Sequence, residues 1–300
     1  MSAPFRESEF IAWALAAAAP RPGASPGPQA ASLPRVGPGD DAAVLADGTV
    51  LCMDATVQGA HFLAGTAPDL VVRKALGRPL SDLCAMGAVP ETVHVAALLP
   101  PGSDGPALAA ALGAWCRAFG VALAGGDTKR SPPGCLAFAV AASGHCRGGA
   151  PWLRSGGRPG DRLWVSGPLG GAGGGRHLAV RPRTDIVAAL RAAAVPVSAA
   201  MDLSDGLLRN LRQLCAASGC GAVVDAARVP VHADVPAAGD ALAAALGDGE
   251  DYELLLALPP HVEPPAGLCE IGTLTQDEAL WLLRDGARTP WPAGGYEHEF

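Results

Sequence analysis

Lysine is nearly missing from this chain. Its 22 basic residues comprise 20 Arg and only Lys74 and Lys129, scattered rather than gathered into an arm, against 29 acidic residues and a formal net charge of −7. That balance excludes a basic nucleic-acid-binding surface, and no nucleic-acid partner is expected. No Cys-x-x-Cys pair occurs among the eight cysteines, so free thiols in a reducing compartment are expected rather than a disulfide framework or a zinc site. No apolar run reaches the ~20 residues that a membrane span needs. Residues 10–19 have the look of a signal-peptide core, but Arg6, Glu7 and Glu9 before them carry the wrong charge for one, and a short helix is expected instead. A soluble, cytoplasmic protein follows as the expectation. Also lacking are the Gly-x-x-x-x-Gly-Lys-Ser/Thr phosphate loop, the protein-kinase signatures, a nucleophile elbow around Ser166 and any metal-ligand spacing among the seven histidines.

What is present is apolar material and short carboxylates. With 300 residues, 49% of them hydrophobic and 17% charged, the chain can fill two domains. Residues 20–34 form a Pro/Gly/Ser/Ala tract expected to be a mobile loop. Beyond it, 42–45 and 49–53 read as strands joined at Asp47-Gly48, 69–86 as a helix, 93–99 as a strand, 106–119 as a helix, and 121–124 and 136–143 as strands. The polar, glycine-rich segment 145–160 is the expected boundary between domains 1–144 and 145–300. Past it, 162–166, 222–225, 252–258 and 270–274 read as strands and 207–218 as an amphipathic helix. The expected class is α+β, as two mixed α/β domains.

Aspartate outnumbers glutamate 19 to 10. The carboxylates recur beside Gly, Ser or Thr in Gly39-Asp40-Asp41, Met53-Asp54, Ser81-Asp82, Gly125-Gly126-Asp127-Thr128, Asp202-Leu203-Ser204-Asp205-Gly206 and Gly249-Glu250-Asp251. Each alone reads as a turn or helix cap, with Asp205-Gly206 ahead of the helix at Leu207 as the plain case. Together they read differently. Ser81-Asp82 lies inside an apolar helix and Asp54 is expected to end a strand, where an unpaired carboxylate is costly to bury. A shared cation removes that cost, and oxygen donors without His or Cys point to Mg²⁺, which usually arrives with phosphates. The segment 167–175, six of its nine residues glycine, follows a strand; phosphate cradle and tight turn are both open readings of it.

The motifs GPGDDAAVL, DATVQGAHF, KALGRPLSDLCAMGAVP, GGDTKRSP, LRSGGRPGDRLWVSG, MDLSDGL, GDGEDYELLLALP and WPAGGYEHEF, in that order, resemble those of the thiamine-monophosphate kinases. These belong to the superfamily of aminoimidazole ribonucleotide synthetase, selenophosphate synthetase and the hydrogenase-maturation dehydratase. The resemblance implies two domains of the aminoimidazole ribonucleotide synthetase type, a homodimer whose N-terminal domains share a barrel, and ATP-dependent phosphorylation of thiamine monophosphate with several Mg²⁺ ions. It further implies that Asp41, Asp54, Asp82, Asp127, Asp202 and Asp205 are metal ligands and that Gly126, Asp127, Arg154 and Ser204 contact ATP. His61, Glu250 and Tyr296 match positions that line the thiamine phosphate site. At Cys52 and Met53, where the family often has Ser or Thr, only backbone carbonyls are left as metal ligands. Lys129 stands where a second Thr is usual, and an extra Glu299 leaves Trp291 as the alternative to Tyr296.

The chemistry fits the resemblance. A phosphate monoester is already anionic near neutral pH and needs little help from a general base, so the obstacle is charge. Mg²⁺ ions held by Asp residues would screen two anionic partners, which accounts for many carboxylates and no evident base. A relative that activates an amide or a selenide, or a non-catalytic nucleotide- or thiamine-binding protein, would share some Asp clusters. The selenide reading calls for a reactive Cys in an N-terminal Gly-rich segment, and the tract before Val36 has none.

Overall fold

The computed structural model describes residues 5–18 and 34–296, and the expected loop at 20–34 falls almost wholly outside the described residues. Helix α1 (Glu7–Ala18) precedes the first sheet, built from β1 (Ala43–Val44), β2 (Thr49–Val57), β3 (Val89–Leu99), β4 (Ala122–Arg130) and β5 (Ala137–His145) in the order β1-β2-β5-β3-β4. All neighbours are antiparallel except β3 and β4, which are parallel. Helices α2 (Pro68–Ala85) and α3 (Gly105–Phe119) pack on this sheet. Asp47 Oδ1 accepts from Thr49 N at 2.9 Å and Gly48 takes a left-handed φ of 92°, which closes the β1–β2 hairpin as expected. For α3, Asp104 caps the start by accepting from Ala107 N, and Gly120 in the left-handed region ends the helix.

The second sheet has seven strands in the order β12-β11-β8-β10-β6-β9-β7. These are β6 (Arg162–Val165), β7 (Ala199–Asp202), β8 (Gly221–Asp225), β9 (Leu254–Leu258), β10 (Cys269–Thr275), β11 (Leu280–Arg284) and β12 (Ala287–Pro290), with helices α4 (Thr184–Ala192), α5 (Leu207–Ser218) and α6 (Ala241–Gly247). Leu207, Leu211 and Leu214 of α5 are buried against the sheet residues Leu163, Val224 and Leu255. No described helix is long and apolar enough to cross a membrane. All eight cysteines are free thiols.

Helix α2 is common to both halves. Val72, Leu76, Leu80 and Leu83 face the first sheet, while Cys84 and Ala85 join Trp152, Trp164, Ala200 and Leu256 in a core shared with the second. Twelve of its eighteen residues are buried, including Lys74 and Ser81. Gly77 is where the segment around Val180 lies against the helix: a Cβ there would sit 2.6 Å from Val180 Cγ1.

Two strands run further than the sequence indicates. Asp54 does not end β2 but lies inside it, opposite Val140, because β2 stays paired with β5 as far as Val57. Strand β4 continues through Gly125-Gly126-Asp127-Thr128, since glycine there serves close packing rather than a break. A Cβ on Gly126 would lie 2.0 Å from Val95 O on the neighbouring strand. Elements β7, α4, α6, β11 and β12 were not expected. Strand β7 reads Ala-Ala-Met-Asp, too short and too poor in β-branched residues to signal a strand.

Gly77→Val is expected to destabilise the protein by roughly 1–3 kcal/mol by forcing Val180 away from α2. Denaturant unfolding checks this; an unchanged midpoint would mean that the segment around Val180 yields freely.

Candidate active site

Three carboxylates converge from separate elements. Asp41 comes from the loop before β1, Asp82 from α2 and Asp202 from the end of β7, and each offers an oxygen within 4.8 Å of the others. Asp202 is buried and accepts a hydrogen bond from Ser81 Oγ at 2.9 Å, so adjacent residues of α2 supply one metal-type donor and the group that steadies another. Arg154, from the connection between the sheets, donates to Asp41 through Nη2 (2.7 Å) and Nε (3.3 Å), while its backbone N–H reaches Asp40 Oδ1 at 3.1 Å.

Burial, reinforced by the charge of Asp41, pushes the Asp202 carboxyl up to about 8, and burial beside Asp41 puts Asp40 at about 6. Asp82 is pushed well above the carboxylate range by burial and by Asp202. No hydrogen bond reaches the Asp82 carboxylate from the described residues. An all-oxygen donor set that is short of protein hydrogen-bond donors and resists its own ionisation fits a hard divalent cation such as Mg²⁺.

Asp82 also lines a cavity of about 350 Å³ between the two halves, together with Asp54, Arg78, His61, Ser204, Asp205, Asp248, Glu250, Tyr252 and Tyr296. The wall is made by a loop of unusual backbone. Gly249, Glu250 and Tyr252 all have positive φ, and the loop is fastened to the Asp202–Asp205 segment by Glu250 N to Ser204 O (2.7 Å) and Tyr252 N to Leu203 O (2.9 Å). Glu250 meets the buried Lys74 at 2.6 Å, and Lys74 also donates to His61 O at 2.7 Å, so one ammonium ties α2 to two parts of the wall. His61 Nδ1 accepts from Val57 N at 3.0 Å, which fixes the orientation of the imidazole.

The placement of the remaining candidates is mixed. Asp205 is no helix cap: Gly206 holds that position without a side-chain cap, and the Asp205 carboxylate lies 3.4 Å from Arg209 Nε. Cys52 is buried with its thiol on Pro79 O, and burial raises its pKa, so it remains a thiol; the exposed Met53 lines the cavity. Tyr296 is 54% exposed at the cavity, whereas Trp291 is 6% exposed in the core with its indole N–H on Leu208 O. Asp127 and Gly126 lie apart from the three converging carboxylates, lining an apolar groove of about 600 Å³ with Val95, Leu108, Leu123 and Phe138. Asp127 is exposed there and paired with Lys129 at 3.0 Å.

In the glycine-rich segment after β6 the tight turn is what forms. Gly170 N donates to Asp251 Oδ1 (2.7 Å) and Gly171 N to Asp248 Oδ2 (3.0 Å), so carboxylates of the chain occupy the backbone donors that a phosphate would use. Sequence reasoning overlooked Lys74, Arg78 and Ser81 as parts of the site. Their signal was a Lys, an Arg and a Ser at spacings of four and three along one apolar helix.

Family models for the AIR synthase related protein match residues 39–146 with the N-terminal domain and 158–263 with the C-terminal domain. The thiamine-monophosphate kinase of Salmonella typhimurium is 35% identical over 87% of this chain and 91% of its own length. This chain belongs to the thiamine-monophosphate kinase family. The Halobacterium salinarum member is 37% identical over 83% of this chain and 90% of its own. Among solved structures, the thiamine-monophosphate kinase from Stenotrophomonas maltophilia K279a superposes with a TM-score of 0.70 at 29% identity, over 96% of this chain and 99% of that one. A structure described as AaThiL complexed with AMPPCP and TMP shares the fold at a TM-score of 0.79 and 22% identity, covering 98% of this chain and 97% of that one.

The raised carboxyl of Asp202 makes metal-free stability depend on pH. Its folded-state pKa of about 8 lies above that of an unfolded Asp, so the fold keeps a proton that the unfolded chain releases. Metal-free stability therefore falls as the pH rises from about 4 through about 8. Mg²⁺ replaces that proton, so its stabilising effect is expected to grow with pH, raising the melting temperature by roughly 3–6 °C more at about pH 8.5 than at about pH 6. Thermal melts with Mg²⁺ and with a chelator check this; an equal Mg²⁺ effect at both pH values would show that the carboxylates do not take up the ion.

Proposed function

We propose that the protein transfers the γ-phosphoryl group of ATP to the phosphate of thiamine monophosphate, yielding thiamine diphosphate and ADP. The observation that carries this reading is Asp82. It belongs both to the three converging carboxylates and to the wall of the interdomain cavity, so metal-held phosphate charge and a small-molecule pocket adjoin in a chain of this family. The acceptor oxygen of a phosphate monoester is largely ionised near neutral pH, and the side chains have correspondingly little proton abstraction to perform.

In this reading Asp41, Asp82 and Asp202 hold Mg²⁺, with Asp54 and Asp205 beside them and the backbone carbonyls of Cys52 and Met53 as further oxygens. Bound Mg²⁺ supplies charge neutralisation for the transferring phosphoryl group. Asp127 on β4 is read as a further ligand, with Gly126 next to the nucleotide and the apolar groove of Leu108, Leu123 and Phe138 receiving the flat base. Arg154 and Ser204 contact the ATP phosphates; Arg154 neutralises Asp41 until the nucleotide arrives. His61, Glu250 and Tyr296 line the acceptor side, where an aromatic face and a carboxylate favour the cationic thiazolium. Lys74 keeps Glu250 in place, and Val57 N orients the His61 ring.

The working form is read as a cytoplasmic homodimer. The face of the first sheet turned away from α2 carries Leu51, Met53 and Ala55 on β2 and His94 and Leu98 on β3, all exposed, and edge strand β4 is exposed along its length. Such an edge and face call for a partner sheet. Light scattering at working concentration is expected to give twice the chain mass; a fully active monomer would overturn the dimer.

The activity is tested by measuring thiamine diphosphate and ADP from purified protein, ATP, Mg²⁺ and thiamine monophosphate. Asp82→Asn is expected to lower turnover by two or more orders of magnitude while the fold persists, because metal-held charge stabilises the transition state by several kcal/mol. No product from the wild-type protein would overturn the reading, and near-wild-type turnover of the variant would remove Asp82 from the chemistry.

A further inference from the structure

The cavity beside the three converging carboxylates has an unresolved charge problem. Its described wall carries six carboxylates, Glu7, Asp54, Asp82, Asp205, Asp248 and Glu250, yet the acceptor read for it is itself an anion. Mg²⁺ held by Asp41, Asp82 and Asp202 would offset the deep end. At the wall, only one cationic side chain is found among the described lining residues, and it is Arg78. His61 Nδ1 accepts from Val57 N, and Lys74 is fully buried behind the wall with its ammonium committed to Glu250 and His61 O.

Arg78 stands four residues before Asp82 on α2, so the two side chains project from the same face of the helix. Its Nη1 donates to Ala55 O at 2.8 Å, which fixes the plane of the guanidinium. Its Nε lies 2.9 Å from Asp54 Oδ2, close enough for an ion pair, but the N–H is not directed at that oxygen and remains a buried donor without an acceptor. No hydrogen bond from Nη2 is found among the described residues either. Nε is buried beside Asp54, so Nη2, which is neither partnered nor buried, is the donor left to the cavity, and a phosphate oxygen is a fitting acceptor for it. A guanidinium with an unfilled donor, the one cation among the described residues of an acidic wall, selects for an oxyanion.

We propose that Arg78 recognises the phosphate of the acceptor and so distinguishes a phosphorylated thiamine from thiamine itself. The inference rests on reading the cavity as the acceptor site. Asp54 has a part in it: its carboxylate beside Nε holds the guanidinium in place and leaves Nη2 to the ligand.

The test compares wild-type protein with Arg78→Met and Arg78→Lys, measuring the affinity for thiamine monophosphate and for thiamine by calorimetry at saturating Mg²⁺, with the KM for ATP alongside. Losing a charge-assisted contact is expected to weaken thiamine monophosphate roughly 10- to 100-fold in Arg78→Met, with thiamine and ATP within about twofold of wild type. Arg78→Lys keeps the charge beside Asp54 and loses the fork, so it should lose selectivity for the phosphorylated ligand with its Mg²⁺ requirement unchanged, and it serves if the Met variant fails to fold. Equal loss for thiamine and thiamine monophosphate, no loss for either, or a shift confined to the Mg²⁺ requirement would overturn the proposal and leave the acceptor site standing. A wild-type protein that phosphorylates or binds no thiamine monophosphate would instead overturn the acceptor reading, and this inference with it.

Discussion

The mutual repulsion of Asp41, Asp82 and Asp202 is the constraint around which the molecule is arranged. Three carboxyl groups brought within a few ångströms at partial burial oppose folding, through repulsion where they ionise and through raised pKa values where they keep protons, and each has to be delivered by an element whose packing outweighs that cost. Helix α2 meets the need. It is buried on two sides, one against each sheet, and its apolar contacts hold Ser81 and Asp82 at the junction. Because the same helix carries Lys74 and Arg78, the junction also gathers cations. Along one helix Lys74 and Arg78 meet Glu250 and Asp54 from other elements, while Ser81, beside Asp82, donates to Asp202.

This arrangement makes the two domains unequal partners. The first contributes α2, the loop bearing Asp41 and the strand bearing Asp54. The second contributes backbone: β7 ending at Asp202, and the Gly249–Tyr252 loop fastened to Leu203 and Ser204. Neither half holds the complete donor set, so the site exists only while α2 remains packed in the shared core.

Much of this was legible in the sequence, and the parts that were not have identifiable causes. The periodicity of 207–218 gave the bounds of α5, because Leu207, Leu211 and Leu214 repeat at helical spacing and Gly219 stops the helix in the left-handed region. The Asp-containing motifs pointed to Asp41, Asp82 and Asp202. Glycine misled at Gly125-Gly126, where it permits close approach of β3 and β4 instead of ending a strand; in 167–175, where turn and cradle were both open readings, it makes a turn whose donors are taken by Asp248 and Asp251. Arg78 escaped because its meaning depends on what faces it. A sequence lists one arginine on a helix and cannot say that the cavity it lines carries six carboxylates.

The left-handed backbone at Glu250 and Tyr252 has a consequence for the chain's evolution. Side-chain-bearing residues in that conformation each cost on the order of 1 kcal/mol or more, and glycine at either position would relieve it. That relief is outweighed at both sites: Gly at 250 would leave the buried Lys74 ammonium without its carboxylate, and Gly at 252 would empty the space of a buried tyrosine ring. The strained backbone is thus held by the same two side chains that shape the cavity wall, and selection for thermal resistance would keep Glu and Tyr there rather than shed them.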